Sequence, residues 1–286
     1  MRPRTLLLTA AAMSCFAANS LLCRAALGRG LVDATSFTSV RLLSGALALV
    51  LLVRTGQRTS PGARDLRSAA ALFVYALAFS LAYVRIPAAL GALLLFGAVQ
   101  ATMVGRAVAA GARPSALEWV GLAISVSGLV ALTLPGVGHG DVAGSALMIG
   151  AGVAWGLYSL LGQTTRSGPL AANAASFAWA VPLALLASLV GAFLSPPRVS
   201  WLGLGLAVAS GALASGGGYS LWFAAMRGLS RTQAALVQLS APPLAAAGGV
   251  LLLGERVTLR LALSALAILG GIAVAIAFRR GGRGPA

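Results

Sequence analysis

The sequence predicts an all-α integral membrane protein with ten transmembrane helices, arranged as two inverted five-helix repeats around a central cavity. The 286 residues are 59% hydrophobic and 9% charged, whereas soluble domains are about 45–50% apolar and about 25% charged. Ten apolar runs along the chain are each long enough for a helix to cross a bilayer, which takes about 20 residues. Residues in the second half also repeat residues half a chain earlier, which indicates an old duplication. A chain of this kind requires a lipid bilayer around it.

The ten predicted spans are apolar runs separated by Arg, Pro and Gly residues. The first five cover residues 5–23, 36–53, 68–84, 88–108 and 118–134, and the second five cover residues 142–162, 172–194, 201–225, 232–253 and 257–278. The first run follows Arg2 and Arg4, as in a signal peptide, but it lacks a clear cleavage site and further apolar runs follow it. We therefore expect it to be retained as the first span.

The duplication defines two predicted domains, residues 1–137 and 138–286. At an offset of 143 residues, half the chain length, Gly111 falls on Gly254 and Arg113 falls on Arg256. Each repeat contains five spans, an odd number, so the two repeats must insert in opposite orientations. Inverted repeats recur in secondary transporters, where the substrate site lies near the midplane between them.

Arginine placement orients the spans, because cytoplasmic loops carry an excess of basic residues. With the N-terminus inside, fourteen of the 21 basic residues lie on the cytoplasmic side and six outside, while Arg41 lies within a span. We therefore predict a multi-pass protein of a bacterial inner (plasma) membrane with both termini in the cytoplasm.

Composition excludes several other functions. The net charge of +16 comes entirely from arginines that lie mostly between apolar runs, with no basic stripe of interleaved aromatics, so nucleic acid is not the expected partner. The chain contains no lysine, hence no phosphate-binding loop of the kind that hydrolyses ATP. A single histidine and five scattered carboxylates predict neither a metal site nor an enzyme, and we expect no cofactor. A scaffold or channel subunit remains an alternative to a carrier.

The Pro242-Pro243 pair interrupts the ninth predicted span at its middle. Proline has no N–H, so the carbonyls of Gln238 and Leu239, four residues earlier, lose their helical partners. Broken backbone at membrane depth is tolerated only where it packs against protein or lines a wet cavity. We interpret Pro242 and Pro243 as a hinge beside the solute pathway, with a passive kink as the alternative.

A series of short motifs spans the chain in a fixed order: Phe16-Ala17-Ala18-Asn19-Ser20 and Trp155-Gly156 in the first span of each half, Asp33 then Arg41 at the second span, Pro242-Pro243 in the ninth, and Gly254-Glu255-Arg256 before the tenth. Together they resemble the drug/metabolite transporter superfamily, specifically its EamA-type ten-helix exporters, although Val99, Gln100 and Ala112 depart from the pattern in the first half. The Asn-containing first span and the aromatic-rich spans look most like the YddG-type exporters of aromatic amino acids. The resemblance implies export of a small-molecule substrate by alternating access.

Candidate substrate-binding residues are aromatic and polar side chains that share helix faces at spacings of three and four. They are Asn19, Tyr75, Phe79, Phe96, Gln100, Trp155, Tyr158, Ser159, Tyr219, Trp222 and Gln238. Aromatic faces with neutral amides suit a zwitterion with an apolar side chain, such as tryptophan or phenylalanine. Each interior amide must either bond across helices or face water.

Charged residues are expected to be peripheral. Arg41 lies about one turn inside the second span, where we expect it to snorkel or to pair with Asp33, and to matter less for transport than Tyr75 or Trp155. Without a cationic centre or a mid-span carboxylate, strongly charged solutes should be poor substrates, and export should need no proton gradient. A proton-coupled multidrug or metabolite exporter is the alternative. Glu118 and Glu255 begin spans five and ten, where they are expected to cap helices.

Overall fold

The structure, a computed structural model, describes residues 2–53, 63–134, 141–164, 168–253 and 257–277. The first half consists of α1 (Pro3–Leu27), α2 (Ala34–Val53), α3 (Ala63–Tyr83), α4 (Ala88–Ala109) and α5 (Ala116–Thr133). The sequence motif Gly254-Glu255-Arg256, together with His139 and Arg166, lies outside the described residues.

The second half contains two interrupted spans. It begins with α6 (Val142–Gln163) and α7 (Pro169–Leu194) and ends with α12 (Leu259–Ala277). The eighth span is α8 (Trp201–Ala209), a π-helical segment (Ser210–Gly217) and α9 (Gly218–Met226), and the ninth is α10 (Arg231–Gln238) followed by α11 (Ala241–Leu253). Ten helical spans within the described residues are long and apolar enough to cross a membrane, which confirms the predicted fold class.

Contacts between the spans follow a two-fold rule. The third and fourth spans pack on the sixth, and the eighth and ninth pack correspondingly on the first. The second span packs on the eighth, and the seventh packs correspondingly on the third. The second span also contacts the seventh, and the fifth contacts the tenth; a shift of five spans turns each of these two pairs into itself. Each of these contacts thus has a counterpart five spans along, as inverted five-helix repeats require. The predicted boundary at residues 137 and 138 stays a prediction.

Glycines bring α2 very close to the π-helical segment. A Cβ atom built on Gly211 would lie 2.1 Å from both the Arg41 carbonyl oxygen and the Ser44 Oγ, and one built on Gly45 would lie 2.3 Å from the Phe177 ring. Helices in a bilayer gain little from the hydrophobic effect and rely on such close packing instead. This contact sets the position of Arg41 relative to the eighth span.

The loops between α1 and α2 and between α7 and α8 are joined at one end of the bundle. The Asp33 N–H donates to the Arg198 carbonyl at 2.8 Å, and the Ser200 N–H donates to the Leu31 carbonyl at 2.8 Å. The Asp33 carboxylate also caps α2 by accepting from the Ser36 N–H at 2.9 Å. We call this the outer end of the bundle, since it lies opposite the start of α1.

Short polar contacts also fix the helix ends. Ser115 and Glu118 form a capping box at the start of α5, which confirms the expected role of Glu118. Asp141 caps α6 and pairs with Arg85 at 3.2 Å. The hydrogen bond from Arg85, with those from backbone N–H groups, lowers the pKa of Asp141. Together these contacts place the carboxylates of Asp33, Glu118 and Asp141 at span ends.

Candidate functional site

Five aromatic rings from four spans meet at the centre of the bundle. The Tyr75 ring centroid lies 4.9 Å from that of Trp155, which lies 4.7 Å from that of Tyr219. Phe16 meets Trp155 edge to face at 5.1 Å, and Phe79 lies 5.7 Å from Tyr75. These separations fall within the range of about 4.5–7 Å that favours aromatic pairs. We call these five residues the aromatic cluster.

Two cavities adjoin the aromatic cluster. The outer cavity, of about 340 Å³, opens toward the outer end of the bundle and is lined in part by Arg24, Tyr83, Pro242 and Arg260. Ligand pockets are usually about 300–1,000 Å³, so this cavity is large enough for a small solute. The inner cavity is only about 30 Å³, room for about two waters.

Six of the eleven predicted substrate-binding residues line the inner cavity: Asn19, Tyr75, Phe79, Phe96, Trp155 and Tyr219. Gln100, Tyr158, Ser159, Trp222 and Gln238 line neither of the two described cavities. Ser20 and Phe96 line both cavities and form the boundary between them. Most of the predicted aromatic-lined space is therefore occupied by the rings themselves, and substrate contact by these eleven residues stays a prediction.

The predicted interior amides bond across helices, which confirms one of the two expectations for them. Gln238 accepts from the Trp155 Nε1–H at 2.5 Å, and Gln100 donates to the Ala235 carbonyl at 2.6 Å. Asn19 accepts from the Ser210 hydroxyl at 2.7 Å. The Gln100 Oε1 is buried without a hydrogen-bond partner among the described residues. These bonds link α1, α4 and α6 to the interrupted eighth and ninth spans.

Tyr158, Ser159 and Trp222 have structural partners beside the cluster. The Trp222 Nε1–H donates to the Ser159 hydroxyl at 3.0 Å, and the Tyr158 hydroxyl donates to Asn173. Asn173 in turn donates to the Gly216 carbonyl at 2.9 Å. These contacts hold α6, α7 and the eighth span together.

Arg41 is the main departure from expectation. Its side chain is 1% exposed; Nε donates to the Ser215 hydroxyl at 2.9 Å, and Nη2 donates to the hydroxyl oxygens of Tyr219 and Tyr75. The guanidinium carbon lies 5.4 Å from the centroid of the Tyr75 ring and 6.0 Å from that of Phe79. The predicted pairing with Asp33 is wrong, because α2 turns Arg41 toward the π-helical segment while Asp33 caps the helix. The expected absence of a cationic centre is wrong as well.

The family follows from comparison with known proteins. The sequence profile of the EamA-like transporter family matches residues 142–277. An uncharacterized protein of Pseudomonas aeruginosa, PA1977, is 50% identical over 279 residues, covering 97% of this chain and 96% of that protein. The chain belongs to the EamA-like transporter family.

Two further comparisons concern the fold and a distant relative. This EamA-like transporter aligns with a solved crystal structure at a TM-score of 0.80 and 20% identity, covering 97% of this chain and 98% of the other, which shows the fold alone. The threonine/homoserine exporter RhtA of Escherichia coli is 37% identical over 155 residues, 51% of this chain and 49% of RhtA. The transporter therefore belongs to the drug/metabolite transporter superfamily, as its motifs predict.

The ninth span of this EamA-like transporter is broken, as the Pro-Pro pair predicts. The break lies just before the prolines: the Leu239 and Ser240 N–H groups donate three residues back, at 3.0 and 3.1 Å, in a tight turn. Pro242 and Pro243 then occupy the first turn of α11, where a missing N–H leaves no helical bond unmade. Pro242 lines the outer cavity. A hinge role stays a prediction.

Sequence reasoning missed several residues of this site. Phe16 is central to the aromatic cluster, and Arg24 and Arg260 line the outer cavity. The π-helical segment that presents Ser215 to Arg41 was also unforeseen. Its run of Ser, Gly and Ala residues mixes weak and strong helix formers, and this mixture could have indicated an irregular helix. Such π-helical turns often mark functional sites.

Proposed function

We propose that this EamA-like transporter exports neutral amino acids with aromatic or other hydrophobic side chains across a bacterial inner membrane by alternating access. The observation that carries the proposal is that the outer cavity adjoins the inner cavity, which the aromatic cluster lines, with Ser20 and Phe96 lining both cavities. A solute in the outer cavity would place its side chain against aromatic faces, which favour apolar and aromatic groups.

Small hydroxylated amino acids are a second candidate. The partial similarity to RhtA, whose name describes threonine and homoserine export, favours them. The small volume of the inner cavity also favours a short side chain unless the rings rearrange. A proton-coupled exporter of other metabolites is a third possibility within the same superfamily.

Gradient-driven export without proton coupling is part of the proposal. The carboxylates whose positions the structure describes, those of Asp33, Glu118 and Asp141, lie at span ends. A carboxylate within a span is the usual proton carrier of coupled membrane transport. A zwitterion has no net charge, so its transport needs no coupled ion for charge balance.

The test is counterflow in proteoliposomes with the purified protein, without an imposed pH difference. We expect labelled phenylalanine or tryptophan to exchange faster than threonine, and much faster than lysine. Faster exchange of threonine would favour the second candidate. A requirement for a proton gradient would refute uncoupled export, and no exchange of any solute would favour a scaffold.

Orientation is tested separately with reporter fusions. Fusions after Arg166 should report the cytoplasm and fusions after His139 the opposite side, because the arginine excess predicts cytoplasmic termini. The reverse pattern would refute the predicted orientation.

A further inference from the structure

Arg41 is a buried cation whose charge has no carboxylate partner in the described part of the chain. The Asp33 carboxylate is engaged by the Thr35 hydroxyl at 2.8 Å and by two backbone N–H groups. The Arg41 Nη1 is buried and donates to no described acceptor. An uncompensated charge inside a membrane protein is costly, and such residues generally mark a solute or ion pathway.

The hydrogen bonds among the hydroxyl groups around Arg41 have a fixed donor-to-acceptor direction. A guanidinium can only donate, so Ser215, Tyr219 and Tyr75 accept from it through their hydroxyl oxygens. Each hydroxyl hydrogen must then point away from Arg41: Ser215 donates to the Tyr219 hydroxyl at 3.4 Å, and Tyr219 donates to that of Tyr75 at 3.4 Å. The chain of donors ends at Tyr75, whose ring lines the inner cavity.

The last links of this chain are loose. A strong O–H to O hydrogen bond spans about 2.7–2.8 Å, whereas the contacts between the hydroxyls are 3.4 Å and that from Arg41 to Tyr75 is 3.5 Å. The Tyr75 hydroxyl itself donates to no acceptor among the described residues, and Tyr75 lines the inner cavity. A donor chain that starts at a cation and ends at a free O–H is complementary to an anion.

The cavities have sizes that match the two parts of an amino acid. The inner cavity, of about 30 Å³, has room for about two waters, which matches the two oxygens of a carboxylate. The outer cavity, of about 340 Å³, can hold a side chain and its ammonium group.

We propose that Arg41, Ser215, Tyr219 and Tyr75 form a carboxylate-recognition centre. The solute's carboxylate binds in the inner cavity and accepts from the Tyr75 hydroxyl, while Arg41 is a positioning residue that supplies the positive charge and orients the hydroxyls. The inference rests on the proposed function for the class of solute, an amino acid, but the centre requires the carboxylate and not any particular side chain.

The first experiment measures ligand-induced thermal stabilisation of the purified full-length protein, which does not depend on transport. The probes are 3-phenylpropionate and its amide, which share a ring and chain and differ only in the anionic group. We expect the carboxylate to bind about 10- to 100-fold more tightly than the amide, the range typical of a hydrogen bond to a charged group. Equal stabilisation by both probes would overturn the inference. If neither probe stabilises the protein, threonine and threoninamide replace them, and equal stabilisation by that pair, or none, would overturn the inference.

Variants assign the selectivity to the centre. Arg41→Gln and Tyr75→Phe should each reduce the carboxylate-over-amide ratio toward one, and Arg41→Lys should restore part of it because the charge returns. Ser176→Ala is the matched control, since it also removes one buried hydroxyl, which bonds Ser68 at 2.9 Å and lines neither cavity. This variant should keep the ratio. An unchanged ratio in Tyr75→Phe, a substitution that removes one oxygen from the folded protein, would overturn the inference even if Arg41→Gln fails to fold.

A transport experiment separates this inference from the proposed substrate preference. Phenylalanine is compared with phenylalaninamide, and threonine with threoninamide, as competitors in counterflow. Preference for both free acids supports the centre, whichever side chain is transported faster. If threonine outcompetes phenylalanine while both amides fail, the aromatic preference is wrong and the carboxylate centre stands. In Tyr75→Phe the Michaelis constant should rise with little change in maximal rate.

Discussion

Gly211→Ala should destabilise the protein, although alanine is the better helix former. The new Cβ would lie 2.1 Å from the Arg41 carbonyl oxygen and 2.1 Å from the Ser44 Oγ. Ser44 can rotate away, but Arg41 contributes a backbone atom, so α2 and the π-helical segment must separate. Overpacking of this kind costs about 1–3 kcal/mol, and the helix propensity of alanine offsets at most about 1 kcal/mol. Because the clash is with a backbone atom, we expect a cost of about 2–3 kcal/mol and, after that offset, a net loss of about 1–2 kcal/mol.

Gly205→Ala is the matched control for Gly211→Ala. Gly205 lies on the same span and has no atom within 4 Å of a built Cβ, so the variant should gain up to about 1 kcal/mol from helix propensity. The two substitutions are chemically identical and opposite in sign. The assay is the thermal unfolding midpoint of both variants and the wild type, purified in one detergent.

A midpoint for Gly211→Ala at or above that of the wild type would refute the reasoning. The double variant Gly211→Ala with Ser44→Ala tests it further, because it removes only the flexible contact. We expect partial recovery, since the Arg41 carbonyl remains in place. Full recovery of the unfolding midpoint would mean that the contact with the Arg41 carbonyl does not cause the destabilisation. The single Gly211→Ala variant should also lose part of the carboxylate selectivity, because the shift moves Ser215 away from Arg41.

The remaining predictions concern the broken span and the outer loops. Replacing Pro242 and Pro243 together by Ala should slow counterflow in proteoliposomes, because a continuous helix removes the break beside the outer cavity. Pro182→Ala, at an exposed proline within α7, is the control and should leave the counterflow rate unchanged. Equal rates in the wild type and both variants would favour a passive kink. Asp33→Ala should cost about 1 kcal/mol near pH 7 as a lost N-cap. Burial alone would raise the pKa of Asp33, but hydrogen bonds from two backbone N–H groups and a hydroxyl lower it below the usual value. The carboxylate's contribution is therefore present above about pH 4 and lost as pH falls through the lowered pKa. A stability difference between wild type and Asp33→Ala that persists unchanged at pH 3 would contradict this assignment.

The spans could be predicted from the sequence because their signal is local. Apolar length alone determines whether a segment can cross a bilayer, and a proline pair removes backbone donors wherever it occurs. The stripe of Tyr75 and Phe79 follows from helical spacing within one span. None of these features depends on how distant parts of the chain pack.

The environment of Arg41 could not be predicted in the same way. Whether Arg41 snorkels or turns inward depends on the rotation of α2 about its axis, and that rotation is set by the contact of Gly45 and Ser44 with a segment more than 160 residues later. The π-helical turn there adds a residue to the usual helical repeat and so rotates Ser215 toward α2. The volume of the inner cavity could not be predicted either, because it depends on how aromatic rings from four spans pack together.

The two repeats have diverged in a way that bears on mechanism. Span two carries Arg41, whereas the corresponding region of span seven, around Ala184, is apolar; span nine carries the Pro-Pro break, whereas the corresponding region of span four carries Val99 and Gln100. One repeat therefore supplies the buried charge, and the other supplies the interrupted helix. Because Pro242 lines the outer cavity while Tyr75 and Tyr219 line the inner one, a movement of α11 would change the outer volume without breaking the donor chain. A solute held by its carboxylate would then stay bound while access to it changes, which is the requirement that alternating access places on a binding site.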